Sequence, residues 1–255
     1  MTVKVNGKNL KSKTFKKETA RIRIFCFCMV GRSSVINFYM INGVPDRRAF
    51  TVRERRLIEH LRTPLQVQRF LRKMPYNWEK DGETLRTFRE VLRCGQAHCL
   101  EAALAAAVIL EQHAYPPLLL SLESQDKLDH VVFVFRHNGM WGAIGRSRDL
   151  GLHGRRPIFR NLRQLAWSYF DTYIDETGRI TGYGVANLYD LGDYDWRFAA
   201  KNVWKVERFL CEIPHRKIIS SDQRYERLRA RYRDWKSRYP KKPLTDYASR
   251  AQWML

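Results

Sequence analysis

The sequence has no long uninterrupted apolar run. The nearest candidate for a membrane-spanning segment, residues 24–41, includes Arg32 and Asn37, whereas a spanning helix needs about 20 predominantly apolar residues. The short apolar run 24–30 is not followed by a small-residue cleavage pattern, so it does not fit a secretory signal peptide either. We therefore expect neither a membrane anchor nor a membrane partner.

Cysteine is also scarce. Five cysteines lie at irregular spacing in a chain of 255 residues, and this argues against a disulfide framework. Such usage is typical of a reduced protein, so the predicted location is the cytoplasm. The hydrophobic fraction of 44% and the charged fraction of 29% are those of a globular protein and not of a disordered one.

Acidic residues are few in relation to basic ones. Lys and Arg number 47 and Asp and Glu 26, which gives a net charge of +21 and favours nucleic acid, anionic lipid or acidic substrates as partners. The imbalance is strongest in residues 1–39, where Glu18 is the only acid and no helical or alternating apolar pattern is sustained. We predict either a flexible basic arm or a stretch translated ahead of the true start at Met40.

The rest of the chain is predicted to hold three regions: an N-terminal helical segment 40–83, a core 84–198 and a basic C-terminal helical region 199–255. Apolar residues at helical spacing predict helices at 51–74 (interrupted at Pro64, with Thr63 as N-cap), 84–93, 161–173, 199–212 and 222–239. Residues 175–195 lack a sustained pattern and are predicted to form a loop.

The segment 99–112 is apolar on nearly every face, which is typical of a buried helix. It must end before Pro116, because proline cannot continue a helix. Three strands are then expected, at 118–122, 130–135 and 140–144, and Asn138-Gly139 is a hairpin signal between the last two. A helix, a strand and a hairpin, in that order, form the predicted skeleton.

Cys99 stands at the first turn of this buried helix. The backbone N–H groups there have no partner within the helix, and the positive helix end favours a thiolate. The same N–H groups can face a developing oxyanion. His130 opens a strand that is expected to cross this helix end, so that its imidazole can act as the base.

This stretch resembles the transglutaminase-like superfamily over about residues 84–150. The family pattern is a cysteine that opens an apolar helix, a Gly-Ile-Pro-like turn and a histidine strand followed by a hairpin and a Trp; Ala114-Tyr115-Pro116, His130 to Phe135 and Gly139 to Trp141 are similar to these parts. The resemblance implies an α+β papain-like core, with the cysteine helix packed on an antiparallel sheet and flanked by further helices. It also implies a Cys-His-acid triad.

The third member of that triad is not evident. The aspartate that usually follows the Trp in the family is missing, and Ser147, Asp149 or a backbone carbonyl is the candidate to orient His130. Gln96, just before the nucleophile, is a candidate oxyanion donor or a plain turn residue. Cys94 and Cys211 are expected to be packing residues. A zinc site formed by Cys94, His98, Cys99 and His130 is a rival interpretation that lacks the usual ligand spacing.

The leading hypothesis is a thiol-dependent hydrolase or acyltransferase that acts on the amide of a protein or peptide through a Cys99 thioester. It requires neither a cofactor nor a metal. One alternative is a binding module that keeps this fold without efficient chemistry. Another is a nucleic-acid-binding protein that uses the last helix, where basic residues surround an aromatic stripe; packing of that stripe onto the domain is the competing interpretation. The stripe consists of Tyr225, Leu228, Tyr232, Trp235 and Tyr239.

Overall fold

The computed structural model describes residues 43–241 and 254–255; the predicted arm or upstream stretch 1–39 lies outside them. This part of the chain is α+β, with seven α-helices and one six-stranded antiparallel sheet. The helices are α1 (Val52–His60), α2 (Pro64–Lys73), α3 (Phe88–Cys94), α4 (Cys99–Glu111), α5 (Leu162–Tyr173), α6 (Trp204–Glu212) and α7 (Asp222–Arg238). The strands are β1 (Leu118–Ser124), β2 (His130–His137), β3 (Met140–Ile144), β4 (Arg155–Phe159), β5 (Ile180–Asn187) and β6 (Arg216–Lys217). None of the helices described is long and apolar enough to cross a membrane.

The sheet has the order β4-β3-β2-β1-β5-β6, and every neighbouring pair is antiparallel. The predicted β2–β3 hairpin is confirmed. Asn138 and Gly139 have φ values of 48° and 76°, as a type I′ turn requires at both central positions. The strands predicted at 118–122, 130–135 and 140–144 are therefore three neighbouring strands of the sheet, with β4 beyond them on one side and β5 and β6 on the other.

Helix α4 covers one face of the sheet and is almost wholly buried, as its apolar composition predicts. The core on this face draws residues from each of the three predicted regions: Ile58 and Leu71 from the first, Leu104 and Phe133 from the second, and Leu210 from the third. The side chains that alternate with these along β1 and β2 point to the other face, where α5 covers them.

The core on the α5 face also receives the start of the last helix. Leu120 and Val132 of the sheet contact the same cluster as Phe170 of α5 and Tyr225 of α7. Burial then declines along α7: Tyr225 is buried, Trp235 is half-buried and Tyr239 is 38% exposed. The aromatic stripe of α7 therefore packs onto the domain chiefly at its N-terminal end.

Several sequence-based boundaries are wrong. The loop predicted at 175–195 contains β5, and β4 and β6 were not predicted. The helix predicted at 84–93 begins at Phe88, after Thr87 in extended backbone conformation. The helix predicted from residue 199 begins at Trp204. The interruption at Pro64, by contrast, is confirmed, with Thr63 as the N-cap.

Candidate active site

The start of α4 and the start of β2 meet at a cavity of about 390 Å³. Cys99 is the first residue of α4, His98 is its N-cap, and His130 is the first residue of β2; all three line the cavity. The Cys99 side chain is half-buried, whereas His130 is only 3% exposed. The structure thus brings together the predicted nucleophile and the predicted base, which are 31 positions apart in the sequence.

The surroundings of Cys99 favour its thiolate. Burial alone would raise the pKa of the thiol, but hydrogen bonding from His130 and from His98, together with their charges, lowers it to about 5. A free cysteine has a pKa near 8.5. A thiol with so low a pKa is ionised at neutral pH and can act as a nucleophile.

His98 acts as the cap of α4. Its Nδ1 accepts a hydrogen bond from Leu100 N at 3.3 Å, and its Nε2 lies 3.0 Å from Thr84 O. An amide N–H only donates and a carbonyl only accepts, so these contacts define a neutral ring with its proton on Nε2. Burial lowers the pKa of His98, whereas hydrogen bonding and attraction to the Cys99 thiolate raise it to about 9. Protonation of Nδ1 would exchange the cap for a hydrogen bond to the Cys99 thiolate, so His98 contributes to the low pKa of Cys99 only in its imidazolium form.

His130 has the geometry of the base. Its Nε2 lies 2.9 Å from Leu152 O, and a carbonyl accepts only, so Nε2 carries a proton. The other nitrogen, Nδ1, is then left for the hydrogen bond with the Cys99 thiol. In this tautomer Nδ1 has a free lone pair and can take the thiol proton, which produces a thiolate–imidazolium pair.

Leu152 O is the hydrogen-bond acceptor that orients His130, a role for which Ser147 and Asp149 were the side-chain candidates. Both residues line the cavity, but the described residues show no hydrogen bond from either to His130. The Ser147 hydroxyl instead accepts from Asp149 N at 3.2 Å, and the Asp149 carboxylate lies 3.5 Å from the Arg148 guanidinium. The imidazole is therefore oriented by the backbone, which was the third sequence-based alternative.

The loop that carries Leu152 O is fixed by a buried arginine. Arg155, fully buried, donates to Gly151 O at 2.8 Å, to His153 O at 2.6 Å and to Gly154 O at 3.3 Å. Its guanidinium lies 3.7 Å from the ring centroid of Tyr169, whose hydroxyl also donates to His153 O. The carbonyls on both sides of Leu152 are thus held. Arg155 carries no signal in the sequence that would have singled it out.

The nucleophile side is fixed by Glu101, which sequence reasoning also missed. This carboxylate is fully buried and accepts four hydrogen bonds of 3.0 to 3.1 Å. The donors are Asn77 Nδ2, Thr84 Oγ1, Arg86 N and His98 N. A signal was available, because Glu101 is the lone acid between Cys99 and Leu110 in an otherwise apolar helix.

The N–H group of Cys99 is the donor available to an oxyanion. Leu100 N is used by His98, whereas Cys99 N has no protein acceptor within the described residues. Gln96 was the side-chain candidate for this role, but it is not among the residues that line the cavity.

The other cysteines in the described part of the chain, Cys94 and Cys211, do not join Cys99 and the histidines in a second site. Cys94 is half-buried and lies outside the lining of the cavity; Cys211 is exposed on its rim. Burial raises the pKa of the Cys211 thiol, opposite to the shift at Cys99. Within the described residues, no three His, Cys, Asp or Glu side chains have an arrangement that would hold a metal ion.

The basic face of α7 is partly neutralised by acidic side chains. Arg224 pairs with Asp171 at 2.6 Å, and Arg233 pairs with Glu176 at 2.7 Å. Paired arginines release less energy on contact with phosphates, since their present partners must be given up. Nucleic-acid binding by this helix stays a prediction.

No protein-family model matches this chain, and no curated protein is significantly similar to it.

Proposed function

We propose that the protein is a thiol-dependent hydrolase or acyltransferase that cleaves an amide through a Cys99 thioester. The observation that carries the proposal is the Cys99 thiol at the start of the buried helix α4. Its pKa is about 5 and it faces His130 in a cavity. Low-pKa, accessible thiols beside an imidazole are the usual form of a cysteine nucleophile.

In the first half-reaction, the Cys99 thiolate attacks the carbonyl carbon of the amide, and the carbonyl π electrons move onto oxygen. Cys99 N–H, which has no protein acceptor among the described residues, donates to this oxyanion in the proposed mechanism. The tetrahedral intermediate collapses as the C–N bond breaks, and the proton on His130 Nδ1 goes to the leaving amine. The products of this step are a thioester on Cys99, a free amine and a neutral imidazole.

In the second half-reaction, His130 Nδ1 takes a proton from the incoming nucleophile, which attacks the thioester. Water gives hydrolysis and a carboxylic acid; an amine gives acyl transfer and a new amide. In both cases the Cys99 thiolate leaves and the starting ion pair is restored. Leu152 O accepts from Nε2 throughout, so it keeps the ring oriented and stabilises the imidazolium.

The resemblance to the transglutaminase-like superfamily supports this proposal. A cysteine at the start of a buried helix, a histidine at the start of the second strand after that helix, and a hairpin with Trp141 occur here in the family's order. The proposed family membership carries the same prediction as the site: amide chemistry without a metal or a cofactor.

A second candidate is a non-catalytic binding module with the same cavity. The observation that favours it is the acceptor of His130 Nε2, which is a backbone carbonyl and not a carboxylate. A neutral carbonyl stabilises an imidazolium less than a carboxylate does, because it carries only a partial charge. In that case the thiol would be reactive but would turn over slowly.

The test is acylation of Cys99 by p-nitrophenyl acetate. The enzyme hypothesis predicts a burst of p-nitrophenolate, a thioacetate on the Cys99 peptide in mass spectrometry, and steady release of acetate or, with hydroxylamine, of acetohydroxamate. Cys99→Ser should abolish the burst, since a hydroxyl is far harder to ionise. Acylation without release would favour the binding module, and an absence of acylation at Cys99 would refute the proposal.

The role of His130 is tested by the pH dependence of alkylation. Iodoacetamide should label Cys99 with a half-maximal rate near pH 5, because the rate follows the thiolate fraction and the pKa is about 5. His130→Ala removes the leading interaction that lowers this pKa, so the half-maximal rate should move to higher pH. Cys211, whose pKa is raised, is the internal control. Identical pH profiles for Cys99 in both proteins would remove His130 from the mechanism.

A further inference from the structure

The charge inside the cavity is opposite to the charge of the whole protein. The chain has a net charge of +21, yet six Asp or Glu and only two Lys or Arg residues line the cavity, together with His98 and His130. The acidic residues are Glu79, Glu83, Asp129, Asp149, Asp175 and Glu207; the basic ones are Lys127 and Arg148. Carboxylates therefore outnumber lysine and arginine around the nucleophile, although the chain as a whole is basic.

Two of these six carboxylates have no hydrogen-bond or ion-pair partner among the described residues, unlike Glu79 and Asp175. Glu79 accepts from the backbone of Thr84, and Asp175 accepts from Gly178 N. Glu83 and Glu207, in contrast, are exposed and have no hydrogen-bond or ion-pair partner among the described residues. The carboxylate oxygens of Glu83 and Glu207 are therefore available to accept hydrogen bonds from water or from a group bound in the cavity.

Glu83 and Glu207 act on each other. Burial raises the pKa of Glu207, and the negative charge of Glu83 raises it further; the Cys99 thiolate contributes in the same direction. The charge of His98 acts in the opposite direction and does not outweigh these effects, so the two carboxylates repel each other. A positive charge placed between them relieves that repulsion.

An aromatic wall completes this side of the cavity. Trp204 is half-buried, lines the cavity and precedes Glu207 by three residues on α6, so the two side chains lie on the same helix face. The face of an indole ring attracts cations. An aromatic surface beside unpaired carboxylates is a recognition site for an alkylammonium or guanidinium group.

We propose that the cavity binds a cationic group of the substrate between Trp204, Glu207 and Glu83, so that the amide attacked by Cys99 belongs to a lysine- or arginine-containing segment. The substrate class rests on the proposed function, whereas the cation site itself rests on the lining of the cavity. The +21 charge of the protein repels such a segment at long range, so short-range contacts in the cavity must provide the selectivity.

Charged thiol reagents test the site without a known substrate. Methanethiosulfonates react when the thiolate attacks the thiol-linked sulfur: a disulfide forms and methanesulfinate leaves with the electron pair. We would compare the trimethylammonioethyl reagent with the sulfonatoethyl reagent at Cys99 in a Cys211→Ser background, follow both by peptide mass spectrometry, and divide each rate by that of 2-mercaptoethanol. The cation-to-anion ratio should exceed that of the free thiol by about tenfold.

The double variant Glu83→Gln and Glu207→Gln should lower this ratio about tenfold. Glu212→Gln, which removes the same charge from the same helix outside the cavity lining, should leave the ratio within about twofold. A ratio equal to that of the free thiol, or one that the double variant leaves unchanged, would overturn the cation site. Slow reaction of Cys99 with both reagents at pH 6 would instead contradict the low thiol pKa, and with it the proposed function, while the ratio can still be measured at pH 9.

Discussion

The two sides of the candidate pair are fixed by buried groups of opposite charge. On the thiol side, the Glu101 carboxylate collects donors: the N–H of the cap residue His98 and three further groups. On the imidazole side, the Arg155 guanidinium collects acceptors, including the carbonyls before and after Leu152. One charge therefore orders the loop before α4, and the other orders the loop before β4.

The comparison shows that a buried charge can serve to order backbone. A charged group is costly to bury unless it forms hydrogen bonds. Glu101 and Arg155 each form some of these hydrogen bonds with the backbone next to a reactive side chain. The anion is matched to N–H and hydroxyl donors, and the cation to carbonyl oxygens. Neither Cys99 nor His130 could keep its position if the loop beside it were free.

The largest effect should come from the thiol side. Glu101→Gln keeps the size of the side chain but replaces one acceptor oxygen with an amide that must face existing donors, either His98 N or Arg86 N. We expect a loss of roughly 3 to 5 kcal/mol in the free energy of unfolding, measured by urea denaturation. Cys99 should also lose its preferential labelling at mildly acidic pH.

Glu90→Gln is the matched control, since Glu90 lies near the surface and pairs with Arg93 one turn later. It should change the free energy of unfolding by less than about 0.5 kcal/mol. Equal effects of the two substitutions would mean that the four hydrogen bonds of Glu101 contribute nothing beyond those of a surface acid.

The imidazole side should show a smaller loss of stability and a clear loss of reactivity. Arg155→Lys keeps the charge, but an ammonium cannot span the acceptors that the planar guanidinium reaches. We expect a loss of roughly 2 kcal/mol and about tenfold slower acylation of Cys99, because His130 loses a fixed acceptor at Leu152 O.

The pH dependence separates positioning from simple destabilisation. With Arg155→Lys, half-maximal labelling of Cys99 should move to higher pH while the protein is still folded. Arg160→Lys, an exposed change just after β4, should alter neither value. A destabilised Arg155→Lys protein with an unchanged labelling profile would confine Arg155 to a structural role.

The sequence predicted the elements that rest on local signals. Helix α4 follows from its continuous apolar composition, and the hairpin follows from Asn138-Gly139 between two β-rich runs. The candidate site could be predicted for the same reason, because a cysteine that opens such a helix and a histidine that opens a β-rich run can both be recognised in the sequence.

Strand β5 was missed because its glycines resemble those of a loop. In the fold, a Cβ at Gly182 would lie 2.5 Å from the Glu123 carboxylate, and one at Gly184 would lie 2.9 Å from Ile213. The side chains that approach these glycines are distant in the sequence, so no local pattern indicates the close approach. The hydrogen-bond acceptor of His130 could not be predicted from the sequence for another reason. Leu152 O is a backbone carbonyl, and every residue has one.

The smallest effects should come from the side chains that the sequence offered as the third member of the triad. If Leu152 O orients His130, Asp149→Asn should leave the acylation rate and the labelling profile of Cys99 within about twofold of the original, because Asp149 lines the cavity without a hydrogen bond to His130. Ser147→Ala should cost about 1 kcal/mol, because Asp149 N loses its acceptor. It should likewise leave the labelling profile unchanged. An upward move of half-maximal labelling in either variant would show that a side chain and not the backbone supports the imidazolium, and the contrast between the two sides of the pair would then fail.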